Sequence, residues 1–123
     1  MSATPARPLS RMRRAIAKVM TESAAIPQFA IELELDAHAL IARREATRPR
    51  FSLTDVLVAS CAASLRAHPD VNASYADAGI VQHDEVNVAL AVALDDGLIS
   101  PVVRAADRRG LDELAAERTR LTA

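Results

Sequence analysis

The spacing of apolar residues changes period several times along the chain, and each change marks an expected element. From residue 86 to 94 the sequence VNVALAVAL carries no charge, and Asn87 is its sole polar residue. Val88, Leu90, Val92 and Leu94 fall on one side of a strand, and Asn87, Ala89, Ala91 and Ala93 on the other. Both sides are nearly apolar, so the run predicts a central strand covered on each face. Asp95-Asp96-Gly97 supplies turn chemistry, and residues 98–104 resume a β-rich run, giving a buried hairpin. Pro101 has no N–H for a ladder, so the returning strand is expected at an edge or with a bulge. The small Ala face implies that something packs very close to it.

A second alternation runs through residues 28–36, with Phe29, Ile31, Leu33 and Leu35 on one side and Glu32 and Glu34 on the other. It predicts a strand with one wet face. Helical spacing takes over elsewhere. Ser10 is a suitable N-cap for a helix reaching about Ser23, with Met12, Ile16, Val19 and Met20 on one stripe. Asp36 caps a short helix to about Ala46. Ser52 and Asp55 make a capping-box start for a helix to about Ala67, whose apolar residues wrap far enough round to predict burial. Asp77-Ala78-Gly79 turns the chain into a short strand at 80–83. Leu111, Leu114, Ala115, Arg118 and Leu121 trace one face of a last helix. Alternating helices and strands make this an α/β or α+β chain, with fewer strands than a centrally buried strand requires.

Composition narrows the function classes. The 123 residues suffice for one domain, and half are apolar with few aromatics, so Ala, Val, Leu and Ile do the packing. A net charge of −1 argues against nucleic acid as the main partner, although residues 1–20 hold Arg7, Arg11, Arg13, Arg14 and Lys18 and no acid. No apolar run is long enough for a membrane span. The one cysteine, Cys61, excludes an internal disulfide, and inside the buried helix it reads as a small core residue. A reducing, cytoplasmic location is expected. Asp95 and Asp96 read as a turn, and no metal site is expected.

Several segments in order resemble the catalytic domain of the 2-oxo acid dehydrogenase dihydrolipoamide acyltransferases, the E2 components. They are PLSRMRRAIAKVM (8–20), IPQFAIELELD (26–36), the helix ending in Arg43-Arg44, SLTDVLVASCAASLRAHPDVNASY (52–75), VNVALAVALDDGLISPVVRAAD (86–107) and LDELAAERTRL (111–121). The resemblance implies an α/β (α+β), chloramphenicol acetyltransferase-like two-layer fold, incomplete here. Residues 1–9 would be a linker and 10–123 the N-terminal part of the domain. It also implies trimer-based homo-oligomers or pairing with complete E2 subunits, lipoyl domains as partners, and acyl transfer between dihydrolipoamide and coenzyme A. In that chemistry a histidine takes the thiol proton and a serine hydroxyl stabilises the oxyanion.

The chain lacks both catalytic segments of that family, a His-x-x-x-Asp-Gly motif and a Thr-Ile-Ser-Asn-Leu-Gly-like stretch. His68 to Asn72 and His83 to Asn87 have a related His-x-x-x-Asn spacing, but no Gly follows and both lie in segments that match other parts of the pattern. His68 reads as a helix C-terminal residue, His83 as a surface residue beside acids, and His38 as a helix start. What the resemblance carries over is coenzyme A binding at Arg44 and Ser52, with Ala93 as a weaker candidate. A helix N-terminus flanked by Arg44, Arg48 and Arg50 suits a phosphate. The bland alternative is a plain N-cap and a solvated basic turn.

Overall fold

The structure is a computed structural model that describes residues 8–47, 51–95 and 97–122. The expected linker at 1–9 and basic turn at 47–50 therefore fall largely outside the described residues. The chain divides into two compact units, one of residues 8–34 and 93–99, the other of residues 35–92 and 100–122 among those described.

The first unit contains α1 (Arg11–Ser23). Ser10 caps it as its sequence predicts, its hydroxyl accepting from the Arg13 N–H at 3.2 Å. No acid stands in the first turn to complement the helix dipole. The stripe Met12, Ile16, Val19 and Met20 remains exposed. With Leu98 and Ala15, part of it lines an apolar groove of about 380 Å³.

The strand predicted at 28–36 does not form: these residues carry no ladder, and Phe29 is 88% exposed. A strand's N–H and C=O groups need a neighbouring strand, and none is present for this segment among the described residues.

The second unit holds the core. Here α2 (His38–Ala46) begins with the Asp36 carboxylate accepting from the His38 N–H at 2.9 Å. Next comes α3 (Leu53–Ala67), opened by the predicted capping box of Ser52 and Asp55. A two-stranded hairpin follows, β1 (Ala73–Ala76) against β2 (Gly79–Gln82), with Ala76 opposite Gly79. Gly79 takes φ +125°, a value that L side chains rarely adopt.

The predicted central hairpin is present but broken into pieces. β3 (Val88–Ala89) pairs antiparallel with β6 (Val102–Val103), while β4 (Val92–Leu94) pairs with β5 (Gly97–Ile99). The gap in the outgoing strand lies at Leu90, whose N–H reaches the Pro101 carbonyl at 2.9 Å. Pro101 has no N–H to return, so the expected interruption falls there. In the first unit, an added Cβ on Gly97 would lie 2.6 Å from the Met12 Cγ.

Two expectations about burial are corrected. The run 86–94 is covered on one face: Val86 and Leu90 are buried, but Ala89, Ala91 and Ala93 are exposed. Similarly, α3 buries Asp55, Val58 and Ala62 while Leu57 and Cys61 face outward, so Cys61 is no core residue. In both cases local composition was apolar all round, whereas this chain supplies one packing surface.

That surface is closed by α4 (Leu111–Thr122). Val58, Ala62, Val86, Leu90, Val103, Ala106 and Leu114 form one buried cluster, with Leu65, Val88, Val92 and Leu121 packed against it. Polar ties fix the connections. The Asn87 side-chain Oδ1 accepts from the Ala105 N–H at 3.0 Å, and the Val86 backbone carbonyl accepts from the Ala106 N–H at 2.8 Å. Arg66, at the end of α3, donates to Asp107 Oδ2 at 2.7 and 3.0 Å and to the Asp84 carbonyl at 3.2 Å.

Candidate functional site

Arg44 and Ser52 come together around one residue, Phe51. Arg44 lies in the last turn of α2, where a cation complements the helix dipole. Its Nε–H donates to the Phe51 carbonyl at 2.9 Å. Phe51 is buried, and Ser52 immediately after it opens α3. Phe51 is thus pinned by a guanidinium of α2 and joined directly to a helix cap.

The pinning centre is a carboxylate. Asp55 is 1% exposed and accepts from the Ser52 N–H at 2.7 Å and the Ser52 hydroxyl at 2.8 Å, both on Oδ2. Arg118 of α4 donates from Nε to Oδ1 at 2.6 Å and from Nη2 to Oδ2 at 3.3 Å. In return the Asp55 N–H reaches the Ser52 Oγ at 3.1 Å. Burial pushes the Asp55 carboxyl upward, but the hydrogen bonds from Arg118 and from the Ser52 backbone and hydroxyl outweigh it and hold it below its ordinary value. Arg118 and Asp55 are 63 residues apart in sequence. The signal for this pair was an arginine set among leucines on the apolar face of the last helix: a cation there needs a buried anion.

These contacts bear on anion binding. A serine hydroxyl has one proton, and that of Ser52 goes to Asp55. A phosphate approaching α3 would also meet a carboxylate in the first helical turn. In this structure the Ser52 hydroxyl serves the helix cap, and the Arg44 guanidinium has more N–H donors than the one that Phe51 takes. Arg48 and Arg50 lie outside the described residues. Ala93 is on β4 in the first unit, exposed and without a polar side chain.

The histidines occupy the places their sequence contexts predict. His38 starts α2, His68 caps the C-terminal end of α3, and His83 is an exposed residue whose Nε2 lies 2.8 Å from the Ser74 hydroxyl. Beside it, Asn72, Gln82, Asp84, Glu85 and Asn87 line an open depression of about 540 Å³. Among the described residues no group of three or more His, Cys, Asp or Glu could hold a metal ion. No helix among them is long and apolar enough to cross a membrane.

A mixed helix-and-strand chain of this kind has clear counterparts among known proteins. Residues 2–123 match the model of the 2-oxoacid dehydrogenases acyltransferase catalytic domain, and the chain belongs to that family. It is 34% identical to the dihydrolipoyllysine-residue acetyltransferase component of the pyruvate dehydrogenase complex of Rhizobium meliloti (strain 1021), over 89% of this chain and 27% of that one. It also superposes on the cubic core of the pyruvate dehydrogenase multienzyme complex with TM-score 0.88 and 28% identity, over 97% of this chain and 53% of that one. The dihydrolipoamide acetyltransferase of Azotobacter vinelandii gives TM-score 0.87 and 27% identity over the same shares; a serine, a histidine and an asparagine were investigated there for catalytic roles. The chain thus spans about half of these solved cores and about a quarter of its curated relative.

Proposed function

We propose that this chain supplies the N-terminal part of the catalytic domain of a dihydrolipoamide acyltransferase, the E2 component of a 2-oxo acid dehydrogenase complex. The complete domain would pass an acyl group between dihydrolipoamide and coenzyme A. The observation that carries this reading is the family match from residue 2 to 123. The names of the relatives support acetyl as the acyl group.

Within that domain Arg44 would face the phosphates of coenzyme A as a fixed positive charge. Ser52 and Asp55 would hold the backbone from which Arg44 is braced, and Ala93, lacking bulk, would leave room for the pantetheine arm. The proton-accepting imidazole and the oxyanion-binding hydroxyl would come from a complementing part of the domain. Assembly into trimer-based homo-oligomers or with complete E2 subunits, acyl delivery by a lipoyl domain and a cytoplasmic location belong to the same reading. A non-catalytic role, docking on complete E2 subunits, is a second reading, favoured by the exposed apolar residues Phe29, Ile31 and Leu33.

The test is complementation. The full chain is mixed with the acyltransferase segment of the R. meliloti relative that lies outside its matched stretch, and acetyl transfer from acetyl-CoA to dihydrolipoamide is measured. The chain alone should be inactive and the mixture active, with Arg44→Met raising the KM for coenzyme A about tenfold, the loss of one charged hydrogen bond. Turnover by the chain alone, or none by a formed complex, would overturn the proposal. Binding to complete E2 subunits without gain in transfer would favour the second reading.

A further inference from the structure

We infer that Arg118 and Asp55 are positioning residues for coenzyme A: through one peptide plane they fix the Arg44 guanidinium that would receive its phosphates. This rests on the function proposed above and extends the binding of that substrate to a residue of the last helix. The Phe51 carbonyl and the Ser52 N–H belong to the same peptide unit. Its carbonyl accepts from Arg44 Nε at 2.9 Å, and its N–H donates to Asp55 Oδ2 at 2.7 Å. A peptide unit sends its C=O and N–H in opposite directions, so the guanidinium and the carboxylate grip one plane from opposite sides. The dipole of the unit suits both charges, its oxygen toward the cation and its hydrogen toward the anion. Arg118 Nε, donating to Asp55 Oδ1 at 2.6 Å, completes the row from α4. Hydrogen bonds in such a chain polarise and strengthen one another.

The row ends on a side chain that has little else to direct it. α2 buries none of its residues, so packing does not fix its last turn, and Arg44 takes its direction from the Phe51 carbonyl. Arg44 is only partly buried, which leaves its other N–H groups within reach of a ligand. Asp55 is 1% exposed and its charge is used inside the row. Although burial opposes that charge, hydrogen bonds from Arg118 and Ser52 hold the Asp55 carboxyl below its ordinary value, so the row stays ionised at neutral pH. A guanidinium already oriented meets a phosphate without losing rotamer freedom at that moment, and binds it more tightly. Without Arg118 the carboxylate is free to turn from the Ser52 N–H, and the line to Arg44 is lost.

The experiment uses the full chain, alone and mixed with the R. meliloti segment described above. In the chain alone, proton–nitrogen NMR should show the Arg44 Nε–H as a distinct, slowly exchanging signal, and Arg118→Met should speed its exchange about tenfold. In the mixture, Arg118→Met should raise the KM for acetyl-CoA about fivefold and leave kcat and the KM for dihydrolipoamide unchanged. A general loosening of the fold would move all three. Added to Arg44→Met, it should change the KM by less than about twofold, because nothing is left to position. Arg118→Lys keeps the charge and one donor and should raise the KM only about twofold; it carries both measurements if the Met variant does not fold. An Arg44 Nε–H signal indifferent to both Arg118 substitutions, or a KM effect that simply adds to that of Arg44→Met, would overturn this inference and leave the proposed function standing. A parent mixture without transfer would remove the proposed function and the role in coenzyme A binding with it, and the NMR signal alone would then decide whether Arg118 fixes Arg44.

Discussion

Leu114 and Phe29 are both apolar residues spaced to cover one side of their element, yet Leu114 is 2% exposed and Phe29 88%. Leu114 belongs to the second unit, where α3, α4, β3 and β6 converge on one buried cluster. Phe29 belongs to the first, where the stripe of α1 and the alternation at 28–34 find little. Periodicity states which face of an element seeks cover. It does not state whether the cover lies in the same chain, and here the two units give opposite answers.

Paired truncations should break the comparison most visibly. Leu114→Ala removes a filled core position and should cost about 3 to 4 kcal/mol in urea unfolding followed by circular dichroism. The same truncation at Leu33 should change the midpoint by less than about 0.5 kcal/mol. Equal losses would mean that residues 28–34 are packed in solution.

Next in size is the Asp55–Arg118 pair. Arg118→Ala leaves a buried carboxylate without its guanidinium and should cost about 3 kcal/mol at neutral pH. Because the folded pKa of Asp55 lies below its ordinary value of 3.8, its contribution is complete above that value and is lost as pH falls through the lower, folded one. Stability of the parent should therefore drop on acidification below about pH 4, and the difference from Asp55→Asn should narrow there. A gap between the two that stays constant from pH 7 to pH 2 would refute this.

Ser52→Ala removes half of the capping box and should cost about 1 kcal/mol, with Asp55 still paired to Arg118. The smallest effect has the opposite sign. Ala105 sits at φ 47°, ψ 47°, a left-handed conformation that disfavours a side chain. Ala105→Gly should stabilise the second unit by about 0.5 kcal/mol, read as a higher unfolding midpoint.

The sequence was most legible where structure is decided within a few residues. Ser10 and the Ser52–Asp55 box mark helix starts because a cap acts over two or three positions, whereas the N-cap of α2 is Ala37, with Asp36 reaching the His38 N–H from one residue earlier. Pro101 marks the break in the hairpin because a missing N–H is a local fact. Burial was less legible. The Ala face of residues 86–94 and Cys61 look buried from composition, but their exposure depends on what other polypeptide is present. At the candidate site, Arg44 and Ser52 could be placed near one loop, whereas the use of the Ser52 proton by Asp55 could not. That depends on Arg118, which arrives from the other end of the chain.

Amide hydrogen exchange on the full chain alone, at low concentration, tests the central claim most directly. The account predicts slow exchange through α3 and α4 and exchange close to the unfolded rate at residues 28–34. Protection of 28–34 comparable to that of α3, with no other polypeptide present, would contradict it.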